Sequence, residues 1–181
     1  MKTKHFPALI LALVTLACSK PAEEAATISE PVEAGQSSVQ DDESQKNVVQ
    51  TAIASPDHKT LVAALKAASY VDALSNAGPF TVFAPTDQAF GKLPAGTVED
   101  LVKPENQDNL RNILEYHVYV GTIRENMITD GMSLNQVNGQ NVKFGKNGDK
   151  LTVNGASVLA TVATSNGIIY VVDQVLLPPT K

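Results

Sequence analysis

The sequence predicts an α+β domain, helical in the first part of its foldable chain and a β-meander in the second. Three observations carry that prediction. Between Val48 and His117, apolar residues recur at three- and four-residue spacing, interrupted by a single strand-like run. From Val118 onward the apolar runs are short, β-branched and bounded by turn residues. Asn-Gly occurs four times in that second part, at Asn138-Gly139, Asn147-Gly148, Asn154-Gly155 and Asn166-Gly167. Both residues tolerate the positive φ of tight hairpin turns, so each pair is a hairpin candidate.

Composition narrows the functional classes. The chain has 181 residues and a net charge of -5, with one cysteine, no tryptophan and three histidines. No basic stripe marks a nucleic-acid surface. A lone thiol makes neither an internal disulfide nor a cysteine-rich zinc site.

The N-terminus reads as an address. Met1 to His5 is a short basic start, and Phe6 to Ala17 is an uncharged apolar run. That run is short for a bilayer span but fits the hydrophobic part of a secretory signal over 1–17. The small residue and cysteine at Ala17-Cys18 resemble the bacterial lipobox, with Thr15 where leucine is commonest. Lipidation of Cys18 would remove an exported free thiol. By the Gram-negative sorting rule, Ser19 implies the outer membrane, and several acyl chains on one residue anchor stably. An ordinary signal peptide, with a secreted or periplasmic product, is the alternative.

Residues 18–46 read as a disordered acidic tether. Seven acids (Glu23, Glu24, Glu30, Glu33, Asp41, Asp42, Glu43) against Lys20 and Lys46 give -5, with no apolar period able to bury a core. Roughly 28 residues span about 30 Å as a coil and at most about 95 Å extended.

The domain proper is expected over 47–181. Val48, Val49, Ala52 and Ile53 mark one helix face, and Ser55 or Asp57 can cap the next helix, which carries Leu61, Ala64, Leu65 and Ala68. A further turn fits Tyr70 to Ser75. Phe80 to Phe83 reads as a buried strand ended by Pro85, which has no N–H to donate. Thr86 or Asp87 can cap a helix that buries Phe90. Thr97 offers another cap, with an acid three places on. Leu110, Ile113, Leu114 and His117 give the strongest helical stripe, over about 107–117. Strands follow at Val118-Tyr119-Val120, 141–144, 151–153 and 157–162. The run from Ile168 opens with consecutive apolar residues and is expected to be buried on both faces.

Three boxes occur in the order of the fasciclin domain family: Phe80 to Phe90, then Asn112 to Val118 with its Tyr-His pair, then Asn166 to Pro178. The chain resembles that family over about Val48 to Pro179. The resemblance implies a β-sandwich-like wedge of β-sheet with helices packed along it. It also implies an extracytoplasmic, non-catalytic module for adhesion or for binding a surface or matrix protein or glycan. Many relatives carry histidine where this chain has Tyr170.

The candidate sites divide accordingly. Tyr116 and His117 form the pair that some animal relatives are thought to use on integrins. In register with Leu110 and Leu114, an imidazole at 117 is expected to close a buried hydrogen bond at a helix-to-strand corner. Thr86 and Asp87 fit structural caps. Asp130 and Asp173 have no second carboxylate at a telling distance, and Asp41-Asp42-Glu43 lacks the glycine-bearing loop of a calcium site. No catalytic set, metal site or cofactor is expected, and no nucleic-acid partner. The alternative function is a carrier of an apolar carotenoid- or lipid-like molecule, which requires an apolar groove between helices and sheet.

Overall fold

The computed structural model describes residues 45–148 and 150–179. The signal read at 1–17, Cys18 and the tether up to residue 44 lie outside the described residues.

The first part of the domain is helical. Helix α1, Val48–Ala54, opens with a capping box. Asn47 accepts from the Gln50 N–H at 2.8 Å, while the Gln50 side chain accepts from the Asn47 N–H at 3.0 Å. Val48, Val49 and Ala52 are buried, but Ile53 is 55% exposed. At 100° per residue, Ile53 lies about a quarter turn from the centre of that buried face, so it faces out rather than joining the stripe. Helix α2, Lys59–Ala67, buries Leu61, Ala64 and Leu65, and α3, Val71–Ser75, buries Leu74. The short α4, Asp87–Gly91, follows the first strand. Helix α5, Thr97–Leu101, has Gly96 as its N-cap, so Thr97 is the first helical residue and not the capping one. A 3-10 turn, Pro104–Asn106, leads into α6, Gln107–Tyr116, which buries Leu110 and Leu114.

Strand β1, Phe80–Pro85, pairs antiparallel with β2, Val118–Val120, and parallel with β7, Gly167–Val172. The remaining strands are β3, Ser133–Asn135, β4, Asn141–Asn147, β5, Lys150–Val153, and β6, Ala156–Thr164. They form one sheet in the order β2-β1-β7-β6-β5-β4-β3. Its two edges curl towards each other into a nearly closed barrel. The Val137 N–H, just past β3, donates to the Val118 carbonyl of β2 at 3.0 Å. The expected wedge of sheet with helices along it takes this form.

Pro85 does not end the ladder. Phe80 and Thr86 donate towards β7, to the carbonyls of Asn166 and Val172, while Phe83 donates the other way, to His117 beside β2. Pro85 has the parity of Phe83, and the pairing with β2 stops at Val82. Its missing N–H therefore faces the side where no partner strand continues, and no bond is lost.

The four Asn-Gly pairs also divide. Asn154-Gly155, with φ of 50° and 85°, closes the β5–β6 hairpin as a two-residue primed turn. Gly139 and Gly148 likewise take positive φ in the β3–β4 and β4–β5 connections. Asn166-Gly167 does something else. Gly167 is already the first residue of β7. A Cβ there would lie 2.1 Å from the Phe80 carbonyl oxygen, so glycine is required by close approach of two backbones and not by turn conformation. The Asn166 carboxamide accepts from the Val48 N–H at 2.9 Å and donates to the carbonyls of Leu74 and Asn76, each at 2.9 Å. It ties α1 and the end of α3 to the head of β7.

Two cores result, one on each face of the β1–β7 pair. Val82, Ala84 and Ile169 face the helices with Leu61, Leu65, Leu74, Leu110 and Leu114. Phe83, Ile168, Tyr170 and Val172 face the interior of the curl with Val142, Phe144 and Val153. Phe83 packs on Phe144 and Tyr170 at ring centroids of 5.8 and 5.9 Å. Both central strands are thus buried on both faces, which is why their sequences read as continuous apolar runs.

Gly167→Ala is expected to cost ~3 kcal/mol or more, because the clash is with backbone that cannot rotate away. Gly91→Ala, where a Cβ meets nothing within 4 Å, is expected to be neutral or stabilising by up to ~1 kcal/mol. Urea unfolding of the two variants checks this, and equal effects would refute the close-approach account.

Candidate functional site

One residue from each of the three sequence boxes, Phe83, His117 and Leu176, meets at the corner where α6 turns into β2. His117 is the C-cap of α6, with φ −90° and ψ 0°. Its carbonyl accepts from Phe83 at 2.8 Å, and its ring is saturated. Nδ1 lies 2.7 Å from the Ile113 carbonyl, and Nε2 lies 3.0 Å from the Leu176 amide. A carbonyl only accepts and an amide only donates, so the proton sits on Nδ1 and Nε2 is the acceptor. The side chain therefore splices helix, strand and C-terminal segment together. Burial pushes its pKa down to about 4, with the Ile113 carbonyl opposing more weakly.

Tyr116 points into the other core. Its hydroxyl donates to the Asn141 carbonyl at 3.0 Å and accepts from Asn154 Nδ2 at 2.7 Å, joining α6 to β4 and to the β5–β6 turn. Tyr116 and His117 are 2% and 3% exposed, so the pair presents no side chain to a partner in this conformation.

Thr86 and Asp87 both act as caps, but on different helices. Thr86 Oγ1 accepts from the Ala89 N–H at 3.2 Å, at the start of its own α4. Asp87 Oδ1 accepts from the Thr60 N–H at 2.8 Å, in the first turn of α2. Meanwhile the Asp87 N–H donates to the Asp57 carbonyl at 2.8 Å. Neither Ser55 nor Asp57 caps α2. The Ser55 hydroxyl lies 2.7 Å from His58 Nδ1, and the donor at the helix start is taken from 27 residues away. Burial raises the pKa of Asp87, but hydrogen bonds from Thr60 and Lys59, with His58 nearby, outweigh it and leave the carboxylate below its ordinary value. His58 is shifted down by burial, with Asp57 and Asp87 opposing.

Asp173 and Asp130 are structural in the same sense. Asp173 accepts from the Ser157 N–H at 2.8 Å and meets Lys92 at 3.4 Å, and Asp130 accepts from the Lys146 N–H at 2.9 Å. Among the described residues no cluster of three or more His, Cys, Asp or Glu could hold a metal ion. Tyr170 donates to the Ile123 carbonyl at 2.9 Å, and burial, with Glu125 adding to it, pushes its pKa up to about 12. A phenol at 170 thus fixes the loop after β2 from the inside.

The space between helices and sheet, which the carrier reading requires as a groove, holds a cavity of about 20 Å³ among Leu61, Leu65, Leu114 and Ile169. That is about one water's worth of room. The open grooves are on the surface. One, of about 710 Å³, has a mixed polar and apolar lining and lies around Asn47, Ser75, Arg124 and Ser165. Another, of about 520 Å³, lies where β5 and β6 part. At Asn166-Gly167 the expected hairpin is present but lies one residue earlier than the Asn-Gly pair: Ser165 and Asn166 turn between Thr164 of β6 and Gly167 of β7. The Asn-Gly spelling reads as a turn, and only the apolar run beginning immediately after Gly167 hints that the glycine belongs to a strand.

The comparisons with known proteins agree with this architecture. A family model for the fasciclin domain matches residues 56–178. Protein sll1483 of Synechocystis is 49% identical over 138 residues, covering 76% of this chain and 76% of that protein. Immunogenic protein MPB70 of Mycobacterium bovis is 39% identical over 143 residues, covering 75% and 71% respectively. A solved FAS1 domain pair from the insect cell adhesion molecule Fasciclin I matches with a TM-score of 0.65 at 20% identity, over 74% of this chain. This chain spans about half the length of that structure (51%), and the likeness is one of fold.

Two outcomes follow from the corner and the caps. His117 binds its proton less readily in the folded state than in the unfolded state, so its contribution to stability is full above pH ~6.5. It declines by up to ~3 kcal/mol as the pH falls from there to about 4. His58 acts with the same sign. Urea unfolding of His117→Gln across that range is expected to show a shallower slope than the parent; an unchanged slope would refute the assignment. Thr86→Ala and Asp87→Ala are each expected to cost ~1 kcal/mol, and because they cap different helices the double variant is expected to be close to additive.

Proposed function

Since the chain belongs to the fasciclin domain family, we propose that it is a non-catalytic adhesion or protein- and matrix-binding module. In this reading it is carried on a lipid anchor at Cys18 in the cell envelope, at the outer membrane. Fasciclin domains are adhesion-type modules, and the related insect structure is that of a cell adhesion molecule. The observation that carries the reading is the fate of the reactive groups. Three titratable side chains of the signature boxes are consumed in holding backbone, His117 between Ile113 and Leu176, Asp87 on Thr60, and Tyr170 on Ile123, while Glu115 pairs with the Arg111 guanidinium. A site for acid–base or nucleophilic chemistry needs such groups convergent and free to meet a substrate. These diverge, and each already has its partner.

Anchoring is supported by the basic start, the apolar run and Ala17-Cys18. The acidic stretch up to Lys46 would serve as a spacer, holding the domain off an anionic membrane surface. The partner's identity is then a property of the exposed surface, because the residues that define the family lie inside.

Fractionation of the full chain in a Gram-negative host is expected to place it in the membrane, with mass spectrometry finding acylated Cys18, and Cys18→Ala is expected to release it. A soluble parent with an unmodified cysteine would refute the anchoring. Capture of envelope or matrix proteins by immobilised Cys18→Ala chain, with no turnover of them, tests the binding half.

A further inference from the structure

Within the sheet order, the pairing of β5 with β6 is incomplete. Strand β6 runs from Ala156 to Thr164, yet β5 pairs with it only at Ala156 and Ser157. Beyond Ser157 the two strands part, and Val158 to Thr164 have β7 on one side only. The bonding parity of the open side follows from β7. Asn166 and Val172 turn their carbonyls to β1, so Ile168 and Tyr170 do the same, and Gly167, Ile169 and Val171 face β6. Their partners Thr164, Val162 and Ala160 therefore face β7, while Thr161 and Ala163 turn N–H and C=O outward. No strand or loop among the described residues takes those groups, although the next outward N–H, that of Ser165, donates to the Lys46 carbonyl at 3.1 Å, where the segment leading into α1 meets the end of the edge.

Beyond one bulge near its start, the exposed edge carries little of the usual protection. From Val158 to Thr164 there is no charge and no proline, and Leu159 is 58% exposed, at a bulge between Val158 and Ala160. The groove of about 520 Å³ opens along the same edge, floored by Leu151, Val158 and Leu159. Lys146 and Lys150 stand at its mouth. Neither belongs to any of the three ion pairs among the described residues. Glu125, on the far side, is already hydrogen-bonded by Thr161.

We propose that the β6 edge is a docking site for one extended segment of a partner protein, which adds as an antiparallel strand. That segment is uncharged and β-branched over about five residues and acidic at its C-terminal end. Antiparallel addition is the more stable pairing, and it brings the segment's C-terminal end beside Val158, where Lys146 and Lys150 await an acid. A second copy is the poorer occupant. Edge-to-edge pairing over Ala160 to Thr164 spans only ~17 Å, with few exposed apolar groups beside it, short of the ~1,200 Å² of a stable interface. The inference rests on the adhesion reading and supplies its mode of contact.

The test uses the full chain and a synthetic peptide of alternating threonine and valine closed by two aspartates. Amide exchange is expected to slow about tenfold at Thr161 and Ala163 on peptide addition. Ala163→Pro, which removes an outward N–H but no bond to β7, is expected to abolish the effect. Lys146→Glu with Lys150→Glu, both exposed and tolerant of change, is expected to weaken binding about fivefold. No slowing at millimolar peptide, or equal binding of a lysine-ended peptide, overturns the proposal. So does slowing without peptide that grows with chain concentration, which would make the occupant a second copy. Amides already slow at every dilution would make it the chain's own N-terminal segment, and that result overturns the proposal as well. A chain that captures envelope or matrix proteins as strongly with Ala163→Pro as without it fails this inference alone, whereas one that captures nothing fails the adhesion reading.

Discussion

The parallel pairing of β1 with β7 is the constraint from which the rest of the structure follows. It joins residues more than eighty positions apart, Phe80 with Gly167 through Pro85 with Val172. A parallel pair cannot be closed by a tight turn, so everything between has to be laid out around it. The antiparallel β2 covers the outer side of β1, the meander β3 to β6 curls back to β7, and the helices cover the remaining face. Close approach at the head of the pair admits only glycine at 167. The neighbouring Asn166 converts that contact into a junction with α1 and α3 through three hydrogen bonds, two of them buried. An asparagine suits the task because one carboxamide both accepts and donates, and here it serves an amide on one side and two carbonyls on the other.

A second junction, at the α6–β2 corner, explains why a sequence with recognisable polar boxes leads away from catalysis. Tyr116 and His117 are adjacent in the chain, yet they enter opposite cores. Each ends on backbone or amide groups, of which the Leu176 amide bonded by His117 is buried. An imidazole held neutral by burial, with both nitrogens committed, is a structural connector whose proton has one address. The same economy governs Thr86 and Asp87, where two consecutive side chains start two different helices.

Legibility in the sequence followed the range of the interactions. Helices set by local periodicity, such as α2 with Leu61, Ala64, Leu65 and Ala68, could be read directly. So could β7, whose unbroken apolar run signals burial on both faces. What could not be read depended on partners far along the chain. Ser55 and Asp57 have the right identity and spacing to cap α2, but Asp87 arrives from 27 residues away and takes that place. Pro85 has the residue type that ends a ladder, but whether a missing N–H matters depends on which side the neighbouring strand stops. Asn166-Gly167 spells a turn, and only the position of Phe80 shows that the glycine is demanded by contact. At the Tyr-His corner the helical register of His117 was visible, while the acceptor role of its Nε2 towards Leu176 was not, because that amide lies 59 residues on.

These facts bear on where a module of this kind can keep its specificity. The residues that make the family recognisable are the ones the fold cannot release: Phe83, Tyr116, His117 and Tyr170 are almost wholly buried. Variation in partner choice must therefore fall on positions whose substitution leaves both junctions intact. The stretch from Leu159 to Ala163 meets that condition. Its hydrogen bonds to β7 are made by backbone, its side chains are exposed, and its outward backbone groups are indifferent to side-chain identity. Backbone on such an edge can supply general affinity, while the neighbouring groove and its two lysines supply selectivity. A surface organised in this way can change what it recognises without disturbing what holds it together, and for that reason its sequence carries no motif.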